Sequence, residues 1–246
     1  MSVNSGSFTF AGTSSSAYNV IVENVPAMNR PARKQTVIEV PGKSGDIIFP
    51  EDAWANIQQG YDIFKGTGAV AATKDARALI SWLHGVKGYQ RLTDSFDPEI
   101  FRLAYLDGDI EIENIRNNIW RARVNFSCRP ERFLLTGETV VTKTSSGGTI
   151  SNPTAFNSKP LIKITGSGAV TLSVGSEYRV SISSISSYVN LDCDAQDAYK
   201  TASENKNSTV TITQGDSFPQ LHPGSNTISW TGSVTKVEIT PRWYEL

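Results

Sequence analysis

Apolar and polar residues along this chain alternate far more often than they recur at helical spacing. The run Trp120 to Cys128 is the clearest case: Trp120, Ala122, Val124, Phe126 and Cys128 fall on one side of an extended chain, and Arg121, Arg123, Asn125 and Ser127 on the other. Ahead of it, Phe101 to Tyr105, the turn Asp107-Gly108 and Ile110 to Ile115 read as a further strand, a turn and a strand. Parity then sets a register. Burying Ile110 and Ile112 beside Ala122 and Val124 requires an odd connection, most simply Arg116-Asn117-Asn118 with Asn118 left-handed. That register places Glu113 opposite Arg121 and Glu111 opposite Arg123. Phe8-Thr9-Phe10 and Tyr18 to Val22 read as a hairpin, and Gln35 to Val40 and Gly45 to Phe49 as two more strands.

One segment has helical spacing. Ala76, Leu79, Ile80 and Leu83 share a face, Thr73 is placed to cap the start with Asp75 in the first turn, and Gly85 or Gly88 can end it. Beyond residue 135 the periodicity is strand-like throughout. Leu161 to Ile164, Val170 to Val174 and Val210 to Ile212 lie between turn signals at Gly147-Gly148, Gly166-Ser167-Gly168, Gly175-Ser176, Gly215-Asp216, Pro223-Gly224 and Gly232-Ser233, the pattern of an antiparallel β-sandwich. The last two runs, after Pro223-Gly224 and from Val234 to Ile239, read as a closing hairpin-like unit without a tail.

Composition shifts where the periodicity does. Ser plus Thr rises from 16 of the first 135 residues to 34 of the remaining 111, so two domains are expected, 1–135 and 136–246, joined by a tight linker. The formal net charge is -1, which leaves no surplus of cations for a nucleic-acid backbone. No stretch approaches the roughly 20 apolar residues of a membrane span, and Met1-Ser2-Val3-Asn4 lacks the features of a signal peptide. Cys128 and Cys193 have no metal or redox spacing, and are expected as core residues in a reducing compartment.

Sites for chemistry are sparse. Gly66-Thr67-Gly68-Ala69-Val70-Ala71, after an apolar run and before a helix, imitates a dinucleotide fingerprint, but that helix leads into hairpins instead of closing a βαβ unit. Asp192, Asp194 and Asp197 could wrap a cation but lack the glycine and terminal glutamate of a calcium loop. His84 and His222 have no nucleophile motif beside them, and the acid pairs Glu51/Asp52 and Glu111/Glu113 lie among exposed polar residues. Catalytic, metal and cofactor residues are therefore expected to be none. Trp230, Trp243, Tyr188 and Tyr199 leave a lectin-like, carbohydrate-binding alternative.

Several short motifs, in order, resemble the distal tail protein (Dit) family of long, non-contractile-tailed bacteriophages. They are Phe10-Ala11-Gly12 (the family usually has Asn in place of Ala11), Gly45-Asp46, Trp82-Leu83, Phe126-Ser127-Cys128-Arg129-Pro130, Asn152-Pro153-Thr154, Pro160 to Ile164 with Gly166, Leu191-Asp192, Pro223-Gly224 with Asn226, and Pro241 to Leu246. The resemblance implies a mainly β fold, with an N-terminal, tail-tube-like β-sandwich carrying one helix and a C-terminal galectin-like antiparallel β-sandwich. It implies a hexameric ring at the virion tail tip, assembled in the host cytoplasm. The ring would contact the tail tube protein and a tail-associated fibre or lysin protein, and carry receptor-binding proteins. DNA would pass through the ring without specific binding. A ring of identical copies needs two different complementary patches, and the connection Glu23 to Ser44, with Arg30, Arg33 and Lys34, is expected to reach a neighbour.

Overall fold

A computed structural model describes residues 6–65, 72–116 and 119–246. The chain is mainly β, and its contacts divide it into two compact units, one ending at Arg132 and the other covering Phe133–Glu245. The first contains β1 (Phe8–Phe10), β2 (Thr13–Ser14), β3 (Ile21–Val22), β4 (Arg33–Ile38), β5 (Ile47–Trp54), β6 (Ile57–Lys65), α1 (Ala72–Gly85), β7 (Gln90–Asp94), β8 (Ile100–Leu106), β9 (Ile112–Arg116) and most of β10 (Ile119–Leu134).

Its main sheet runs β2-β1-β7-β8-β10-β6-β3, with β9 also on β10. A bridge between Gly6 and Val22 then ties β3 back to the residues leading into β1, so the sheet curls round on itself. Inside lie Phe8, Phe10, Tyr61, Ile63, Leu92, Trp120, Val124, Phe126 and Cys128, all fully buried. Each such large side chain contributes roughly 1.5–3 kcal/mol relative to exposure. The helix adds Ala76, Leu79 and Leu83 to this core, and Asp75 in its first turn pairs with the buried ammonium of Lys65, whose pKa burial lowers.

The alternation of β10 is as expected on its apolar side, and Glu113 stands opposite Arg121. Two details differ. Ser127 is buried, because Asn56 covers it and donates to its hydroxyl at 3.1 Å. The odd residue that parity demands comes from a register shift between Trp120↔Asn114 and Ile119↔Arg116, which leaves one extra backbone unit in β9. Asn118 and the segment Gly66 to Ala71 lie outside the described residues, and α1 already begins at Ala72, so Thr73 falls inside its first turn instead of capping it. The first hairpin is shorter than expected. β1 turns through Ala11 and Gly12 into β2, while Ser15–Tyr18 forms a 3₁₀ turn and only Ile21–Val22 is extended.

The second unit contains β11 (Val141–Lys143), β12 (Gly148–Asn152), β13 (Leu161–Val174), β14 (Tyr178–Asp192), β15 (Asp197–Thr201), β16 (Glu204–Asn205), β17 (Val210–Gln214), β18 (Gly224–Thr240) and β19 (Tyr244–Glu245). Its sheet order is β11-β18-β13-β14-β15-β16, with β12 on β18 and β17 on β14. The expected turns at Gly166-Ser167-Gly168 and Gly232-Ser233 are not turns. Both fall inside long strands, facing each other across a line of register shifts in the β13–β18 pair. Ser187 of β14, opposite Gly166, has φ of 75°. The bulges bend all three long strands, and both halves of each contribute to one core: Ile162 and Ile164 from one end of β13, and Val170, Leu172 and Val174 from the other. The sandwich is thus one bent sheet facing itself. The expected closing hairpin is likewise replaced by a single strand, β18.

Candidate functional site: an unpartnered hairpin

Among the described residues, strands β4 and β5 pair only with each other. The register sets Val37 opposite Ile48, Ile38 opposite Ile47 and Thr36 opposite Phe49. Opposed residues share a face, so Ile38, Ile47 and Phe49 line one side of the ribbon and Val37 and Ile48 the other. Ile38 is 47% exposed, Ile48 55% and Phe49 54%. A two-stranded ribbon without a third strand or a covering layer is marginal in water, and this one shows apolar side chains on both faces.

The root is clamped. Ala55 donates its backbone N–H to the Ala32 carbonyl at 2.8 Å, Asn29 donates its side-chain amide to Gln58, and the buried Arg132 guanidinium donates to the Asn29 carbonyl. Arg33 and Lys34, the first two residues of β4, point to opposite faces of the ribbon, and Arg30 lies three residues ahead of the strand. Arg33 lies over the Trp54 ring at 4.8 Å and 3.9 Å from Asp52. Sequence reasoning picked out the basic root and missed the apolar ribbon. Its signal was the pair of short runs Thr36-Val37-Ile38 and Ile47-Ile48-Phe49, which suit a buried strand yet stay largely exposed among the described residues.

The other candidates resolve into structural roles. Asp192 accepts two hydrogen bonds from Arg242, at 2.6 and 2.9 Å, and the N–H groups of Asp194 and Ala195; burial raises its pKa, but these partners outweigh burial and hold the carboxyl below its usual range. Asp197 accepts from the Asn205 and Asn207 amides. No group of three or more metal-ligating side chains occurs among the described residues. Cys128 and Cys193 are buried free thiols, and burial pushes Cys128 up to about 12. His84 sits in the exposed last turn of α1, and His222 lies between Asn157 and Glu177. Glu51 and Asp52 are exposed on β5. Glu111 and Glu113 line an open cleft of about 530 Å³ on the first unit together with the ion pairs Arg121–Glu23 and Arg123–Asp62. Of the four aromatics, Trp243 is buried and Trp230 packs against the same core, whereas Tyr188 and Tyr199 are half-exposed. No helix among the described residues is long and apolar enough to cross a membrane.

No protein-family model and no curated protein matches the sequence. Solved structures do match. The SPP1 Dit (gp 19.1) protein, described as a paradigm of the hub adsorption apparatus in Gram-positive infecting phages, aligns over 98% of this chain and 99% of its own, with a TM-score of 0.73 and 14% identity. A chain of the phage p2 baseplate in its activated conformation with strontium aligns over 96% and 97%, with a TM-score of 0.50 and 8% identity. The likeness to the first covers both units, so this chain has the fold of a Dit-type phage hub protein, the fold to which its short motifs point.

Proposed function

We propose that this protein is a structural hub of a bacteriophage tail tip. Its copies would join side by side in a six-membered ring between the tail tube protein and a tail-associated fibre or lysin protein. The N-terminal, tail-tube-like domain would form the ring, and the C-terminal, galectin-like sandwich would sit outside it and carry receptor-binding proteins. DNA would pass through without specific contacts, and no catalytic step is assigned. The observation that carries the reading is the end-to-end fold likeness to a hub protein. The unpartnered ribbon β4–β5 supplies a physical reason for assembly, since its apolar faces gain from burial against another copy, with Arg30, Arg33 and Lys34 at its root as further contacts.

The test is the mass and shape of the purified chain. A ring has six times the 26.8 kDa of one copy and shows a central hole in negative stain. Deleting residues 26 to 34 should abolish it. A monomer at high concentration overturns the ring, and an unchanged oligomer after the deletion overturns the role of the root.

A further inference from the structure

The second unit carries a feature apart from the ribbon. Val189 and Leu191 point into the core, so Tyr188 and Asn190 between and beside them point outward from β14. Lys163 of β13 stands directly across from Asn190, and Tyr199 of β15 stands on its other side. The Lys163 ammonium lies 4.8 Å from the Tyr188 ring centroid and the Lys200 ammonium 5.9 Å from it. Two cations thus converge on one outward aromatic ring. Glu238, directly across from Lys163 on β18, is shared between Lys236 at 2.9 Å and Lys163 at 3.8 Å, and Lys206 holds Glu204 at 2.7 Å, so four lysines share two carboxylates here. The Asn190 amide donates to the Lys200 carbonyl at 3.2 Å, which leaves its side-chain oxygen free to accept.

We infer that this face binds an acidic sugar, one whose ring carries a phosphate or a carboxylate. The ring would pack on Tyr188 beside Tyr199, a hydroxyl would donate to the Asn190 oxygen, and the anionic group would lie between Lys163 and Lys200. The two ammonium groups explain why the sugar must be acidic. Over the Tyr188 ring each gains cation–π attraction, which a neutral sugar would have to displace. An anion instead draws both lysines to itself in charge-assisted hydrogen bonds and uncovers the aromatic face. A nucleic acid would need a longer track of cations than two.

The test is a titration of the full chain, followed by saturation-transfer NMR, with glucose 1-phosphate, glucuronic acid, glucose and inorganic phosphate in turn. The two acidic sugars should bind at least about tenfold more tightly than glucose, a difference of about 1.4 kcal/mol. The double variant Lys163→Ala/Lys200→Ala should weaken them by about tenfold or more, as should Tyr188→Ala, while Thr171→Ala on the other half of the sheet changes nothing. All three variants alter surface positions, and an unchanged circular dichroism spectrum checks that they fold. Equal binding of glucose, or acidic-sugar binding that survives the lysine variant, overturns the site. Inorganic phosphate binding as tightly as glucose 1-phosphate overturns the sugar as ligand. None of these outcomes depends on whether the chain forms a ring, which mass and imaging read separately.

Discussion

At the scale of single residues, the chain keeps a few strained or charged positions whose cost can be measured. Ala11 has φ of 50° and Gly12 φ of 81°, the double left-handed geometry of a two-residue hairpin turn, for which Asn-Gly is the preferred pair. An alanine there costs roughly 1 kcal/mol from the contact between its Cβ and the following carbonyl. Ala11→Asn should therefore raise the urea midpoint, by about 0.5–1 kcal/mol of stability, and Ala11→Val should lower it. Asp192 makes a second case. Its carboxyl is held below the ordinary range in the folded chain, so its contribution is fully present above the unfolded value and is lost as pH falls through the depressed folded one. Asp192→Asn should cost roughly 1–2 kcal/mol at pH 7 and much less near pH 2, measured by denaturant unfolding at both. A gap of the same size at both pH values would mean that the Arg242 pair is not what the carboxylate contributes.

At the scale of elements, the parts legible in the sequence were those where one periodicity acts alone. The strand Trp120 to Cys128 buries the apolar side its spacing assigns, and the helix buries Ala76, Leu79 and Leu83 while Ile80 stays half-buried outside the core. Glycine was the source of error, because a left-handed glycine serves a turn and a bulge equally well. A Cβ on Gly166 would meet the Ser233 carbonyl oxygen, and one on Gly232, at φ of 97°, the Ala169 carbonyl oxygen, both well inside contact distance. These glycines let two strands approach where both bend, information held in the pairing of distant segments and not in either one. Gly232→Ala should cost about 2–4 kcal/mol, whereas Gly147→Ala, at φ of 90° but facing open space, should cost about 1. Equal losses in a thermal melt would remove the close approach as the cause. The ribbon β4–β5 was legible as two strands but not as a surface, since nothing local says that its apolar side chains stay uncovered. Ile38→Asp/Phe49→Asp should leave the melting temperature within a few degrees, because both side chains are already half in water, while lowering the oligomer's mass. A lost melting transition with an intact oligomer would place those residues inside a fold instead of between copies.

At the scale of the whole molecule, the two buried clusters share no residue. One runs from Phe8 to Cys128 and the other from Ile150 to Trp243. The second is closed by its own last turn of chain: Trp243 is buried in it, its carbonyl accepts from the Leu134 N–H at 2.9 Å, and Arg242 donates its N–H to the Gly137 carbonyl at 2.8 Å. Every residue of this core lies at or after Leu134. The fragment 133–246 should fold alone, with a single unfolding transition by fluorescence and circular dichroism, and Trp243→Ala within it should cost roughly 3–5 kcal/mol. Because the fragment lacks β4 and β5, it should stay monomeric where the full chain assembles. A folded fragment that forms the same oligomer would move the assembly surface out of the ribbon and into the sandwich, and a fragment that fails to fold would show that the second core depends on the first.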